Sequence, residues 1–138
     1  AKELTAMVNK KSGLLGLSGI SNDLRDLEAA ADKGIRNAIE ALDVYAHRVR
    51  KYIGAYMAVL GGVDAITFTA GVGENNAPIR AAVCERLAGL GVTLDAARNA
   101  ERSKEPRVIS TDDSAVKVLV VPTNEELQMA REVASVIA

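Results

Sequence analysis

Asp64-Ala65-Ile66-Thr67-Phe68-Thr69-Ala70-Gly71-Val72-Gly73-Glu74-Asn75-Asn76-Ala77-Pro78-Ile79-Arg80 is the stretch whose reading decides the fold. An apolar run of strand length passes into a Gly-x-Gly turn, and Pro78 marks the start of a helix. The expected local structure is a buried strand, a glycine loop and a helix. Two glycines let the backbone turn sharply and remove side chains that would hold a ligand away. Amide N–H groups at the start of the following helix favour an anionic or hydrogen-bonding ligand. Read alone, the loop is equally well an ordinary turn between strand and helix.

Two better-known glycine loops are excluded. A dinucleotide-binding loop reads G-x-G-x-x-G, but Asn76 stands at the third glycine and no convincing ribose-binding carboxylate follows. A phosphate loop of the Walker type ends in Gly-Lys-Ser/Thr, which this chain lacks.

Outward from the loop, helical and strand patterns alternate. Residues 2–10 predict a short helix with Leu4, Met7 and Val8 on one side, and Ser12 to Gly19 predicts a turn or irregular buried crossing. A helix capped near Ser21 carries Leu24 and Leu27. From about 33 to 60, Ile35, Ala38, Ile39, Leu42, Tyr45, Val49, Tyr52, Tyr56 and Leu60 recur at helical spacing, and Gly61-Gly62 is a stop signal. Beyond the loop come a helix over about 77–89, a strand at Gly91–Leu94, a small helix from Asp95 and a strand at Arg107–Ser110. Val116–Val121 is apolar enough for a central strand buried on both faces. Thr123 opens a final helix with Leu127, Ala130, Val133, Ala134 and Ile137 on one face. The alternation predicts one layered α/β domain over residues 1–138.

Composition narrows the function. With 138 residues the chain suffices for one core, and 49% apolar against 25% charged residues argues against a disordered tail. A formal charge of −1 supplies no basic field for nucleic acid or an anionic membrane surface. No run reaches transmembrane length and no leader pattern opens the chain, so a cytoplasmic enzyme or enzyme fragment is expected. Cys84, the single cysteine, excludes an intrachain disulfide framework and reads as a small apolar residue on a helix face. His47, the single histidine, is followed by the charged Arg48 and Arg50 and reads as solvated.

Two further polar clusters join the loop as candidate sites. In Ser21-Asn22-Asp23-Leu24-Arg25-Asp26, arginine offers a planar fork for phosphate or a face for a base, and aspartate can accept from ribose hydroxyls. A helix cap with a local Asp–Arg pair is the alternative. In Pro122-Thr123-Asn124-Glu125-Glu126-Leu127, Thr123 and Glu126 have capping-box spacing. Glu125 is left at the C-terminal end of a central strand, where an α/β protein holds Mg²⁺ beside a nucleotide. Favourable charge at a helix N-terminus is the competing account.

Taken together, Lys10–Gly16, Ser18-Gly19, Asp23–Asp26, Lys51–Tyr56, Phe68–Asn75 and Pro122–Leu127 resemble the acetate kinase family in order and spacing, across nearly the whole chain. The resemblance is to the C-terminal third of such an enzyme. It implies the ribonuclease-H-like fold of the actin and sugar-kinase superfamily, a mixed sheet flanked by helices, with this chain forming most of one lobe. It implies nucleotide contacts from Asp23, Leu24 and Arg25, a cradle for the adenosine end from Gly71, Val72, Gly73, Glu74 and Asn75, and Mg²⁺ assistance from Glu125. Val72 for isoleucine, Asn76 for serine and Asn22 for serine are mild departures.

The family reaction is reversible phosphoryl transfer between ATP and acetate, giving ADP and acetyl phosphate. By the resemblance the catalytic asparagine, arginines, aspartate and histidine belong to the other lobe. This chain is then inactive alone, meets acetate or acetyl phosphate only through that lobe, and pairs into a homodimer. His47 does not match the catalytic histidine. A propionate or butyrate kinase lobe, or a binding or dimerisation module that kept the fold without the chemistry, are the alternatives.

Overall fold

The computed structural model describes residues 1–137, which form two compact units, one over Ala1–Gly62 and one from Val63 onward. The first unit is all helical: α1 (Lys2–Lys10), α2 (Gly13–Ser18), α3 (Leu24–Ala31) and α4 (Arg36–Leu60). α2 replaces the irregular crossing expected at 12–19. Leu14, Leu15 and Leu17 carry it as a helix, and Gly19, left-handed at φ 67°, ends it as a helix stop rather than as part of a turn. α3 begins after Asp23, not Ser21: the Asp23 carboxylate accepts from the Arg25 amide, as an N-cap does.

α4 is the long helix the periodicity predicts, and at 25 residues it runs about 37 Å. Its buried residues are Ala38, Ala41 and Ala46. Leu27 of α3 packs on Ala38 and Ala41, with Leu14, Ala30, Ala31 and Leu42 around it. Small alanines let α4 approach α3 closely, so one leucine fills the space between them. The later part of the predicted stripe stays open: Tyr52, Tyr56 and Leu60 are all exposed. Tyr52 and Tyr56 stack with ring centroids 6.5 Å apart, and Arg48 lies over the Tyr52 ring. His47 is exposed, as its neighbours suggest.

The second unit carries the sheet. Its elements are β1 (Ala65–Phe68), α5 (Ala70–Asn75), α6 (Ala77–Cys84), a 3₁₀ turn (Ala88–Leu90), α7 (Ala96–Ala100), β2 (Arg107–Val108), β3 (Lys117–Val120) and α8 (Glu125–Ile137). The strand order is β1-β3-β2, with β1 parallel and β2 antiparallel to β3. This is an α/β unit with a small mixed sheet and helices beside it, the class the alternating pattern predicts.

Burial of the strands differs from expectation on one face. Val118 and Val120 of β3 are fully buried, but Leu119 is half-buried and Lys117 exposed. β1 has no buried residue: Ile66 and Phe68, paired with Val118 and Val120, are half-buried, while Ala65 and Thr67 are exposed. Val108 of β2, in register with Leu119, is also exposed. The sheet therefore buries one face and leaves the other open, where two-sided burial was expected.

The strand expected at Gly91–Leu94 is reduced to one bridge, Leu94 with Ser110. The Ser114 hydroxyl takes the place of a ladder partner there, accepting from the Thr93 amide and donating to the Gly91 carbonyl. Cys84 is buried on α6, with Ile79 and Val83. α8 carries its apolar side as expected, but Leu127, Val133 and Ile137 are exposed. Among the described residues no helix is long and apolar enough to cross a membrane.

Because Leu27 is the one large side chain in the Leu27–Ala38–Ala41 cluster, truncating it leaves a cavity that alanines cannot refill. Leu27→Ala should lower the stability of the helical unit by about 2–5 kcal/mol, read as a drop in the urea midpoint followed by helical circular dichroism. An unchanged midpoint would mean that this cluster is not the core of the unit.

Candidate functional site

The segment after β1 is more ordered than an open loop. Residues Ala70–Asn75 form the short helix α5, so the expected glycine turn is corrected to a tight helical one. Ala70 takes the bend with φ 59°, a left-handed conformation costing an alanine about 1–2 kcal/mol. The two glycines differ in purpose. A Cβ on Gly73 would lie 3.1 Å from the Phe68 carbonyl carbon and 3.4 Å from its Cα, so glycine lets α5 fold back on β1. A Cβ on Gly71 would meet nothing within 4 Å. Packing does not require glycine at 71, and its bare backbone faces open space.

Parallel pairing brings a second segment beside this one. Phe68 is in register with Val120, and the Val121 amide donates to the Phe68 carbonyl at 2.9 Å. The chain therefore leaves β1 and β3 at the same end of the sheet, where open α/β sheets bind ligands. Glu74 ties the two exits together: one carboxylate oxygen accepts from the Thr123 amide at 2.7 Å and from the Thr123 hydroxyl at 3.0 Å. The Thr123 N–H, helped by its hydroxyl and by the Ala70 N–H and opposed by partial burial, holds the Glu74 carboxyl below the usual range.

This bond overturns the capping-box reading. Thr123 spends its hydroxyl on Glu74, and Asn124 caps α8 instead, its side-chain oxygen accepting from the Leu127 amide at 3.1 Å. Glu125 and Glu126 then fall in the first turn of α8. Ala70, Gly71, Thr123, Asn124, Glu125 and Glu126 line a cleft of about 400 Å³. Two residues singled out separately, Gly71 and Glu125, thus share one cleft. Glu74 and Asn75 line a second cleft of about 580 Å³ with Pro78, Arg80, Arg102 and Lys104. The Asn75 amide donates to the Gly71 carbonyl at 2.9 Å, and Val72 is half-buried.

The Asp23–Arg25 cluster lies in the helical unit. Asp23 grips Arg25 with both oxygens, Nε to Oδ1 at 3.0 Å and Nη2 to Oδ2 at 2.5 Å, besides capping α3. The arginine hydrogen bonds bring the Asp23 pKa down to about 2. Its carboxylate is thus engaged locally, as the cap-and-pair alternative describes. The Arg25 side chain is 86% exposed, and the pair holds its guanidinium plane in one orientation, charged and open to solvent. Leu24 is half-buried.

Among the described residues no group of three or more His, Cys, Asp or Glu could hold a metal. The donors beside Gly71 suit a different arrangement. Mg²⁺ keeps several waters and takes one or two carboxylates together with substrate phosphates, and an exposed Glu125 in an open cleft fits that pattern.

Arg80 was missed by the sequence reading. It is buried in α6 and bonded to the Gly73 and Glu74 carbonyls. The available signal was a charge set in the apolar run Ala77–Cys84, with Ile79 before it and Val83 and Cys84 a turn later.

Comparison with known proteins identifies the family. The acetokinase family model matches residues 1–131. Acetate kinase of Lachnoclostridium phytofermentans is 55% identical over 135 residues, covering 98% of this chain and 34% of that protein. The crystal structure of Porphyromonas gingivalis acetate kinase superimposes with TM-score 0.88 at 41% identity, covering 100% of this chain and 35% of that one. A propionate kinase from Francisella tularensis superimposes with TM-score 0.83 at 40% identity, covering 96% of this chain and 33% of that one. The chain spans about a third of the length of the curated relatives it matches. The sheet and its helices are those of the actin and sugar-kinase fold, and the chain belongs to the acetokinase family.

Proposed function

We propose that residues 1–138 are the nucleotide-binding C-terminal lobe of an acetate kinase, catalysing ATP + acetate to ADP + acetyl phosphate together with a second lobe. The observation that carries this reading is the cleft shared by Gly71 and Glu125 at the C-terminal ends of two parallel strands. Phosphoryl transfer demands in-line positioning and neutralisation of charge spread over the transferred group. A bare backbone at Gly71 admits a ligand closely. The Gly71–Asn75 segment cradles the adenosine end, and the oriented Arg25 with Asp23 and Leu24 contacts the nucleotide. Glu125 holds Mg²⁺, directly or through water, and the ion when bound supplies neutralising charge at the phosphates.

Acetate and acetyl phosphate reach the site through the second lobe, so the 138-residue chain is inactive alone. The working enzyme is a cytoplasmic homodimer. Exposed Tyr52, Tyr56, Leu60, Val133 and Ile137, with the open sheet face, give this lobe apolar surface to cover. Light scattering of the chain at rising concentration should show self-association; strictly monomeric behaviour would count against covered faces. The propionate kinase match favours a second reading, a propionate kinase lobe, since acyl choice rests with the other lobe.

Substitutions separate a ligand cradle from a structural turn. Gly71→Ala meets no atom, and alanine in a helix is favoured over glycine by up to about 1 kcal/mol. The variant should keep or raise the melting temperature yet weaken Mg-ADP binding in a calorimetric titration. Gly73→Ala, pressed against Phe68, should lower the melting temperature itself. Glu125→Gln should weaken binding of Mg-ADP but not of ADP without the metal, and Arg25→Ala should weaken both. Unaltered Mg-ADP affinity in Gly71→Ala, or a folded parent chain that binds no nucleotide, would argue for a non-catalytic module of the same fold.

A further inference from the structure

Among the described residues Arg80 is the largest fully buried side chain, 2% exposed. A buried guanidinium is costly unless every N–H finds an acceptor. Here its hydrogen-bond acceptors are amide oxygens. Nε donates to Asn99 Oδ1 at 2.8 Å and Nη2 to the Asn99 carbonyl at 2.6 Å. Nη1 donates to the Gly73 carbonyl at 2.8 Å and the Glu74 carbonyl at 2.9 Å. The Asn99 amide in turn donates to the Ala77 carbonyl at 3.0 Å. Burial, and then nearby Arg107, pull the Arg80 pKa below its ordinary value, so the charge is kept against its surroundings.

The carbonyls it serves explain why. A helix leaves its last carbonyls without intrahelical partners. In α5 the Val72 carbonyl takes the Asn76 amide and the Gly71 carbonyl takes the Asn75 side chain. The Gly73 and Glu74 carbonyls take Arg80, whose positive charge also suits a helix C-terminus. An apolar side chain of similar volume would fill the same space and leave both carbonyls unpaired. With Glu74 held at its side chain by Thr123 and at its backbone by Arg80, the segment is fixed from two directions.

We propose that Arg80 is the positioning residue of the Gly71–Asn75 segment: it caps α5 through the Gly73 and Glu74 carbonyls, and thereby sets nucleotide affinity without touching the nucleotide. The second half of this assignment rests on the nucleotide reading above. Arg80 does not pack as an inert core residue, and its loss acts first on α5.

The test uses the 138-residue chain with Arg80→Lys, Arg80→Met and Asn99→Ala, the last keeping the arginine while removing one of its acceptors. Hydrogen exchange is followed at the amides of residues 74–76 and of β3, beside Mg-ADP titration. In Arg80→Met and Asn99→Ala, exchange at 74–76 should rise about tenfold or more while β3 holds within about twofold, and the Mg-ADP dissociation constant should rise with it. Arg80→Lys, which keeps the charge with fewer donor directions, should fall between parent and Arg80→Met. If Arg80→Met does not fold, Asn99→Ala decides. Equal acceleration in β3 and α5, or none at 74–76, would overturn the positioning role. Loosening of α5 with unchanged Mg-ADP affinity would overturn its link to binding. A parent chain that binds no Mg-ADP removes that link together with the proposed function, and the exchange data still decide whether Arg80 positions α5.

Discussion

The parallel register of β1 on β3 is the constraint from which the site follows. Pairing Phe68 with Val120 makes both strands end at one level, so the segments after them emerge as neighbours although they lie far apart in the chain. A parallel pair needs a long crossover, here everything from α5 to β2. That crossover supplies Arg80 and Asn99, the buried polar core on which α5 rests. The same topology that forces the detour therefore provides the support for the glycine segment.

Polar groups in this region are arranged by satisfaction as much as by charge. Glu74 is anchored by a backbone amide and a hydroxyl, Arg80 by carbonyls and an asparagine, Asp23 by an arginine two residues away. Each of these groups has hydrogen-bond partners within the chain. Among the groups left facing the solvent are the bare backbone at Gly71, the Glu125 carboxylate and the Arg25 guanidinium. Under the proposed function, anchoring Glu74 and the α5 carbonyls holds the Gly71 segment in shape before a ligand arrives, which lowers the ordering cost of binding.

Much of this was legible in the sequence. The three- and four-residue recurrence from Ile35 to Leu60 with Gly61-Gly62 gives α4 within three residues at its start, and the alternation of apolar runs gives the α/β class. Gly71 and Glu125 could be selected because one is a glycine in a strand-to-helix turn and the other a carboxylate beyond an apolar strand. What escaped was set by contacts remote in sequence. Thr123 looked like a cap for Glu126 because the spacing is local, whereas its real partner, Glu74, is 49 residues away. Gly71 and Gly73 suggested an open loop, but Arg80 and Asn75 satisfy the carbonyls that let so short a helix persist. The glycine-rich 12–19 segment concealed a helix for a local reason: Gly13 and Gly19 mark its two ends, and only Gly16 falls in its interior.

The most direct test of the account is an amide chemical-shift titration of the isotope-labelled chain with Mg-ADP. The largest shifts should fall on Gly71–Asn75 and Thr123–Glu126, with a further set at Asp23–Arg25, while resonances of α1 stay still. Shifts spread evenly over the exposed apolar faces, or absent from the Gly71 segment, would contradict it.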